Sequence, residues 1–220
     1  MTQTMPLARW LLSTSVLAGI LFLCTGRAYS LMLDAYLVVF AGTALARTLA
    51  TYSSRDGGRR KPRPEELDPA SRVAASLLFL VTVSIAALDA GRLHWARAIG
   101  AASQLAALIV LLLAAGLQIW AMAVNPFFST AIRIQTERGH EVITHGPYRH
   151  IRHPGYLAMI ISMPTTALAL GSVVALIPAV CYSLLILRRV LKEDELLRKY
   201  LPDYSEYAGA ARYRLIPGLW

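Results

Sequence analysis

The sequence predicts an all-α, polytopic transmembrane helical bundle of about five to six membrane segments, each needing roughly 20 apolar residues to cross. Three observations carry this. Hydrophobic residues make up 56% of the 220 residues and charged ones only 16%, against about 25% in a soluble domain. The apolar residues lie in continuous blocks rather than in the alternation of a membrane barrel. The positive charges crowd into short loops, Arg55, Arg59, Arg60, Lys61 and Arg63 in one of them.

The first segment is read at about 7 to 25, within the uncharged run from Trp10 to Gly26. With Arg9 before it and small residues near Ala28 to Ser30 it resembles a secretory signal, but the apolar run is long for one, so a retained helix is expected. The second segment is read at about 31 to 52, with Asp34 and Arg47 near its ends, where Arg47 can snorkel outward. The stretch 53–70, rich in Gly, Pro and charge, is read as a loop. Segments three and four follow at about 71 to 90 and 98 to 124, and Asn125-Pro126 ends the fourth.

From Gly155 to Leu187 the chain carries 33 uncharged residues. As a helix these are about 50 Å long, too much for one crossing of roughly 30 Å and too little for two. Pro164, Thr165, Thr166, Gly171 and Ser172 supply a break, so a shallow helical hairpin is expected. Counting crossings from a cytoplasmic 53–63 loop puts 125–154 and the tail from Arg188 on the same, cytoplasmic, face. The chain then divides into N-terminal transmembrane helices, 1–124, and a catalytic region of loop, hairpin and tail, 125–220.

The net charge of +9 is explained by loops obeying the positive-inside rule rather than by nucleic-acid binding. Cys24 and Cys181 sit in apolar segments and suggest no disulfide framework. Four of the five histidines fall within the 14 residues from His140 to His153. No carboxylate or thiolate completes a recognisable ligand set beside them, so no metal is expected. The tail is dense in Tyr200, Tyr204, Tyr207 and Tyr213. So many aromatics suit a segment that packs over a partner, and the loop 125–154 is available. Arg189 and Glu193, spaced i, i+4, share a helix face.

The run Gly-His-Glu-Val-Ile-Thr-His-Gly-Pro-Tyr-Arg-His-Ile-Arg-His-Pro-Gly-Tyr156, followed by Glu193, Leu196, Tyr204, Tyr207 and Arg-Leu-Ile-Pro217, resembles the isoprenylcysteine carboxyl methyltransferase family. That family is similar to the phospholipid methyltransferases. The resemblance covers about residues 115 to 217. It implies S-adenosylmethionine as methyl donor, held by Gln135, His140, Glu141, Val142, Ile143, Gly146, Tyr148, Arg152, His153, Pro154, Gly155, Tyr156 and Glu193. It implies that Arg189 faces the acceptor. The chain departs from the pattern at Lys192, where a Glu is usual, at Tyr200-Leu201, where Phe-Gly is usual, and at Gly155, where a larger residue is common.

The chemistry of those residue types agrees with what the resemblance implies. A carboxylate such as Glu193 pairs with the donor's ammonium, Arg152 or His153 with its carboxylate, and tyrosine faces with its sulfonium. A carboxylate acceptor is already ionised at neutral pH and needs only positioning, by Arg189 or Arg214. An amine acceptor needs a base, for which His150 is the candidate nearest in sequence. The expected partners are the lipid bilayer and a lipophilic acceptor: an isoprenylated cysteine carboxylate, a phospholipid amine or a small thiol. A sterol-reductase-like NADPH protein and a non-catalytic membrane scaffold are the alternatives of other classes.

Overall fold

The structure, a computed structural model, describes residues 4–26, 30–53, 67–95 and 99–220. Among these residues seven α-helices follow in order: α1 (Thr4–Thr25), α2 (Leu31–Ser53), α3 (Pro69–Leu88), α4 (Ala101–Val124), α5 (Pro154–Ala169), α6 (Leu176–Tyr200) and α7 (Tyr204–Ala210). No strand occurs among the described residues. Among the described residues three stretches are long and apolar enough to cross a membrane: Leu31–Ala50, Pro69–Leu93 and Ala101–Val124. Arg55 to Arg63, the basic cluster that orients the expected topology, lies outside the described residues.

Each helix starts and stops for a readable reason. Asp68 caps α3 by accepting the Ser71 N–H at 3.2 Å, with Pro69 at the first helical position. A π-turn, Asp89–Leu93, ends α3, and the buried Asp89 carboxylate accepts the Trp95 N–H at 2.7 Å. Asn125 ends α4 in extended backbone, as the following Pro126 requires. Pro154 opens α5 at its first position.

The hairpin is deep, not shallow. Its arms are α5 and α6, and its bend lies at Leu170–Ala175 with Gly171 at φ +88°. Ser172 Oγ donates to Asp89 Oδ2 at the far end of α3, and Gly171 abuts Gln104 in the first turn of α4. The tip therefore reaches the opposite end of the bundle. Pro164 does not break α5. Its missing N–H leaves the Ile160 carbonyl without its helical donor, and Ser183 Oγ of α6 supplies one at 3.1 Å. The break falls instead at glycine, which takes a positive φ without strain.

The α5 helix runs antiparallel along α4, more extensively than any other helix pair. Ala107, Ala114 and Ala115 of α4 and Ala158 and Ala167 of α5 are buried; small side chains allow such close approach where no water drives association. A core of Leu17, Leu21, Tyr36, Val83, Leu108, Met163 and Ile186 joins α1 to α6. The outward faces stay apolar, with Phe22, Val38, Leu113 and Leu184 all exposed, as lipid rather than water demands.

Candidate functional site

The second half of α6 continues past the bundle and is the floor of the site. Along it Val190, Asp194, Leu197 and Leu201 form one inward stripe. Asp194 is thus a carboxylate in an apolar register, and it is 2% exposed. It accepts Arg152 Nε at 2.9 Å, Tyr204 Oη at 2.9 Å, Arg214 Nε at 3.1 Å and Arg198 Nε at 3.2 Å, with His153 Nε2 at 3.3 Å. Burial alone would raise its pKa. The hydrogen bonds from His153 and Tyr204, with the Arg152 charge, outweigh burial and hold the carboxyl well below the usual range.

This hub fastens the tail to the loop. Arg152 Nη1 also donates to the carbonyls of Ala211 at 2.9 Å and Arg212 at 2.8 Å, closing the C-terminal end of α7. The Arg152 and His153 N–H groups donate to the Tyr213 and Arg214 carbonyls at 3.0 and 2.9 Å. Tyr207 Oη donates to the Tyr148 carbonyl at 2.7 Å. Around these bonds Ala121, Tyr148, Leu201, Tyr204, Tyr207 and Ala208 form a second apolar core. Burial pushes the Tyr204 and Tyr148 hydroxyls well above their usual pKa, so both remain neutral donors.

Between loop, tail and bundle lies a cavity of about 470 Å³. At its polar end stand Gln135, His140, Glu141, Val142, Ile143, Tyr148, His153, Gly155, Tyr156 and Glu193. On the bundle side it is walled by Ala75, Phe79 and Leu80 of α3 and Tyr182 and Ile186 of α6, with Arg72 and Ser76 of α3 and Gln118 of α4 beside them. Tyr156 Oη donates to Glu193 Oε2, so α5 and α6 jointly aim that carboxylate. The buried Gln135 donates to the Phe127 carbonyl, and its backbone N–H donates to His140 Nδ1 at 3.2 Å. Burial, aided by Arg133 and Arg138, lowers the His140 pKa to about 4; the neutral ring is the one that can accept that bond.

Several residues expected at the site play other parts. Gly146 and Pro154 do not line the cavity; Gly146 turns the loop at φ +61° against Val124, and Pro154 starts α5. Arg152 does line it, but its donors are committed to Asp194 and the end of α7. Arg214, expected beside Arg189, is outside the wall and bonded to Asp194. His150 is exposed and also outside. Arg189 faces the cavity from a buried position, donating to Ser71 Oγ of α3 and to the Thr130 carbonyl at 2.6 Å.

Two departures from the family pattern find partners. Lys192 pairs with Asp68, clipping α6 to the start of α3; that bond is the first cause of the lowered Asp68 pKa. Gly155 makes room for Phe128: a Cβ there would stand 2.5 Å from the Phe128 ring. Asp194, Phe128 and Ser71 were not singled out from the sequence. The signal for Asp194 was available, an acid in step with Val190, Leu197 and Leu201; for the other two no local signal exists.

The fold and site define a class: among the described residues, an all-helical protein with three helices long and apolar enough to cross a membrane, whose last helical hairpin extends into a cavity closed by the following chain. Residues 106–199 match the isoprenylcysteine carboxyl methyltransferase family, so the resemblance read from the sequence holds over that segment. Two rice proteins, from Oryza sativa subsp. indica and subsp. japonica, are each named "Probable protein-S-isoprenylcysteine O-methyltransferase" and are each 36% identical over 86 residues. The aligned part is 37% of this chain and 44% of each rice protein, so less than half of these relatives' length is spanned.

Proposed function

We propose that the chain is an integral membrane methyltransferase that uses S-adenosylmethionine to methylate a lipophilic acceptor, first among them the carboxylate of an isoprenylated cysteine or a similar compound. The catalytic region is 125–220, added to the transmembrane helices of 1–124. The observation that carries this is one cavity that joins Glu193, His153 and Tyr148 to the apolar side chains of Phe79 and Leu80. A water-soluble donor and a lipid-soluble acceptor need such a boundary. The rice relatives' name and the family match support the same reading.

The residues suit the donor. Glu141 and Glu193 are the carboxylates among the described lining residues, and Glu193, aimed by Tyr156, suits an ammonium. Tyr148 and Tyr156 offer ring faces to a cation. Val142 and Ile143 offer an apolar wall to a purine. Bound there, the donor supplies an electrophilic methyl group. The chain's own residues then have to align the acceptor, worth about 7–11 kcal/mol when geometry is optimal. Arg189, held by Ser71 and Thr130, orients an acceptor carboxylate and, being fixed, loses little freedom in doing so. No base is required, because a carboxylate is ionised at neutral pH.

The cavity end is read as cytoplasmic. Arg47 of α2 meets Gln118 of α4, and Asp68 before α3 meets Lys192, so the two helix ends flanking residues 54–66 lie at the cavity end. A connection with this many Lys and Arg residues in its sequence is retained inside. Including the hairpin, this gives five to six membrane segments, of which α2, α3 and α4 have the length and hydropathy of full spans.

The test is ligand stabilisation of the full chain in detergent, followed by labelled methyl transfer to an acceptor panel. S-adenosylmethionine raises the unfolding temperature and NADPH does not. Glu193→Gln weakens donor affinity by about tenfold or more, the value of one charge-assisted hydrogen bond. Stabilisation by NADPH alone, or unchanged donor affinity in Glu193→Gln, overturns the reading.

A further inference from the structure

The segment after α7 closes on itself. The Leu215 and Ile216 N–H groups donate to the Trp220 oxygen at 3.1 and 3.2 Å, and Arg214 stacks 5.3 Å from the Trp220 ring. The resulting turn hides Leu215 but leaves Ile216 45% and Leu219 76% exposed. Arg212, beside Tyr213 in the chain, and Arg149, three residues before the Arg152 that bonds Tyr213, are both exposed.

The turn's height in the molecule is fixed by hydrogen bonds. Tyr213 and Arg214 pair with Arg152 and His153, directly before Pro154. Pro154 begins an apolar helix, and the adjoining Tyr148 packs against Ala121 in the last turn of α4, a candidate membrane span. The turn therefore sits where the hydrocarbon region ends. Apolar tips beside cations at that level have the composition of an interfacial anchor.

We propose that the 215–220 turn docks on the bilayer, seating Ile216 and Leu219 in the acyl boundary while Arg149 and Arg212 meet anionic headgroups. This surface is separate from the cavity and does not depend on the methyltransferase reading. Because the stretch 213–214 just before the turn holds Arg152 and His153 by their backbones, the lipid surface becomes a third support, besides Asp194 and α7, of the wall that closes the cavity.

The test reconstitutes the full chain in nanodiscs of phosphatidylcholine, with and without phosphatidylglycerol, using acyl chains brominated near the headgroup. The Trp220 contribution to fluorescence is the difference between the unmodified chain and Trp220→Phe. Brominated lipid quenches that contribution, more strongly with phosphatidylglycerol, and high salt removes the phosphatidylglycerol increment. The paired Ile216→Ser and Leu219→Ser variant loses most of the quenching. The paired Arg149→Gln and Arg212→Gln variant, which keeps the apolar turn, loses only the phosphatidylglycerol increment. Equal Trp220 emission in brominated and ordinary discs overturns the proposal. So does quenching that neither pair alters, or shielding of Trp220 that rises with protein concentration, which would mark the turn as a face for a second copy.

Discussion

The first two-thirds of the bundle and the loop–tail region satisfy their buried polar atoms in opposite ways. In the helices, hydroxyls bond back to their own turn: Thr25 to the Leu21 carbonyl, Thr48 to Ala44 and Thr82 to Leu78, at 2.7–2.8 Å. In the loop–tail region one carboxylate, Asp194, gathers donors from residues 152, 153, 198, 204 and 214. The first kind of bond survives the loss of neighbours, since it closes within one turn. The second exists only when three separated stretches have met. The helical part is thus locally determined, whereas the site is cooperative, and substitutions should divide along the same line.

The largest effect is expected at the hub. Asp194→Ala leaves Arg152 buried without its counter-charge, and breaking a buried pair costs about 3–5 kcal/mol. Protease sensitivity and amide exchange in residues 200–220 should rise sharply while α1 to α4 stay protected. Asp194→Asn, which keeps the acceptor oxygen without the charge, should fall between. If both variants unfold the bundle and the tail together, the division into a local and a cooperative region is wrong.

A second substitution tests the fit of loop against hairpin. Gly155→Ala drives a methyl group into the Phe128 ring, whose nearest atom is 2.5 Å away. Overpacking of this kind costs about 1–3 kcal/mol. Phe128→Leu should be mildly destabilising alone and should restore Gly155→Ala, a coupling read by unfolding the four members of the cycle in detergent. Additive losses would mean that Phe128 turns aside freely and does not set the shape of the cavity.

How much of this was legible in the sequence follows the same division. The third and fourth spans were readable because each is decided by its own run of residues: Val73–Leu88 and Ala98–Val124 lack any charge. The Gly-Pro-Tyr and Arg-His-Pro motif located the loop side of the cavity, and Glu193 the helix side. What the sequence hid was long-range. The depth of the hairpin depends on Ser172 finding Asp89, 83 residues away. Pro164 reads as a breaker unless one knows that Ser183 takes over its lost bond. The tasks of Arg152 and Arg214 depend on Asp194, 42 and 20 residues away; its apolar register is legible, but which cations it gathers is not.

A third prediction uses pH on the loop alone. The His140 pKa is lowered to about 4 by burial and by Arg133 and Arg138, against 6.5 for the free side chain. Between those values the unfolded chain binds more protons than the folded one, so stability rises with pH across the window and falls as pH drops from 6.5 toward 4. His140→Gln should flatten that slope. Amide exchange at Gln135, whose N–H the neutral ring accepts at 3.2 Å, should report it locally. An unchanged slope in His140→Gln would place the pH sensitivity elsewhere.

The smallest effect tests the helical side of the comparison at a bond borrowed across the hairpin. Ser183 Oγ reaches both the Ile160 carbonyl across the hairpin and its own turn at Ala179, each at 3.1 Å. Ser183→Ala should cost about 0.6 kcal/mol, the average for a hydrogen bond between membrane helices. In a Pro164→Ala background the position-164 N–H can donate to Ile160 within α5, so the same Ser183→Ala change should then cost almost nothing. The cycle therefore predicts a coupling as large as the single effect. If Ser183→Ala costs the same in both backgrounds, the hydroxyl serves only its local bond to Ala179, and the hairpin is held by packing and by Ser172 on Asp89 alone.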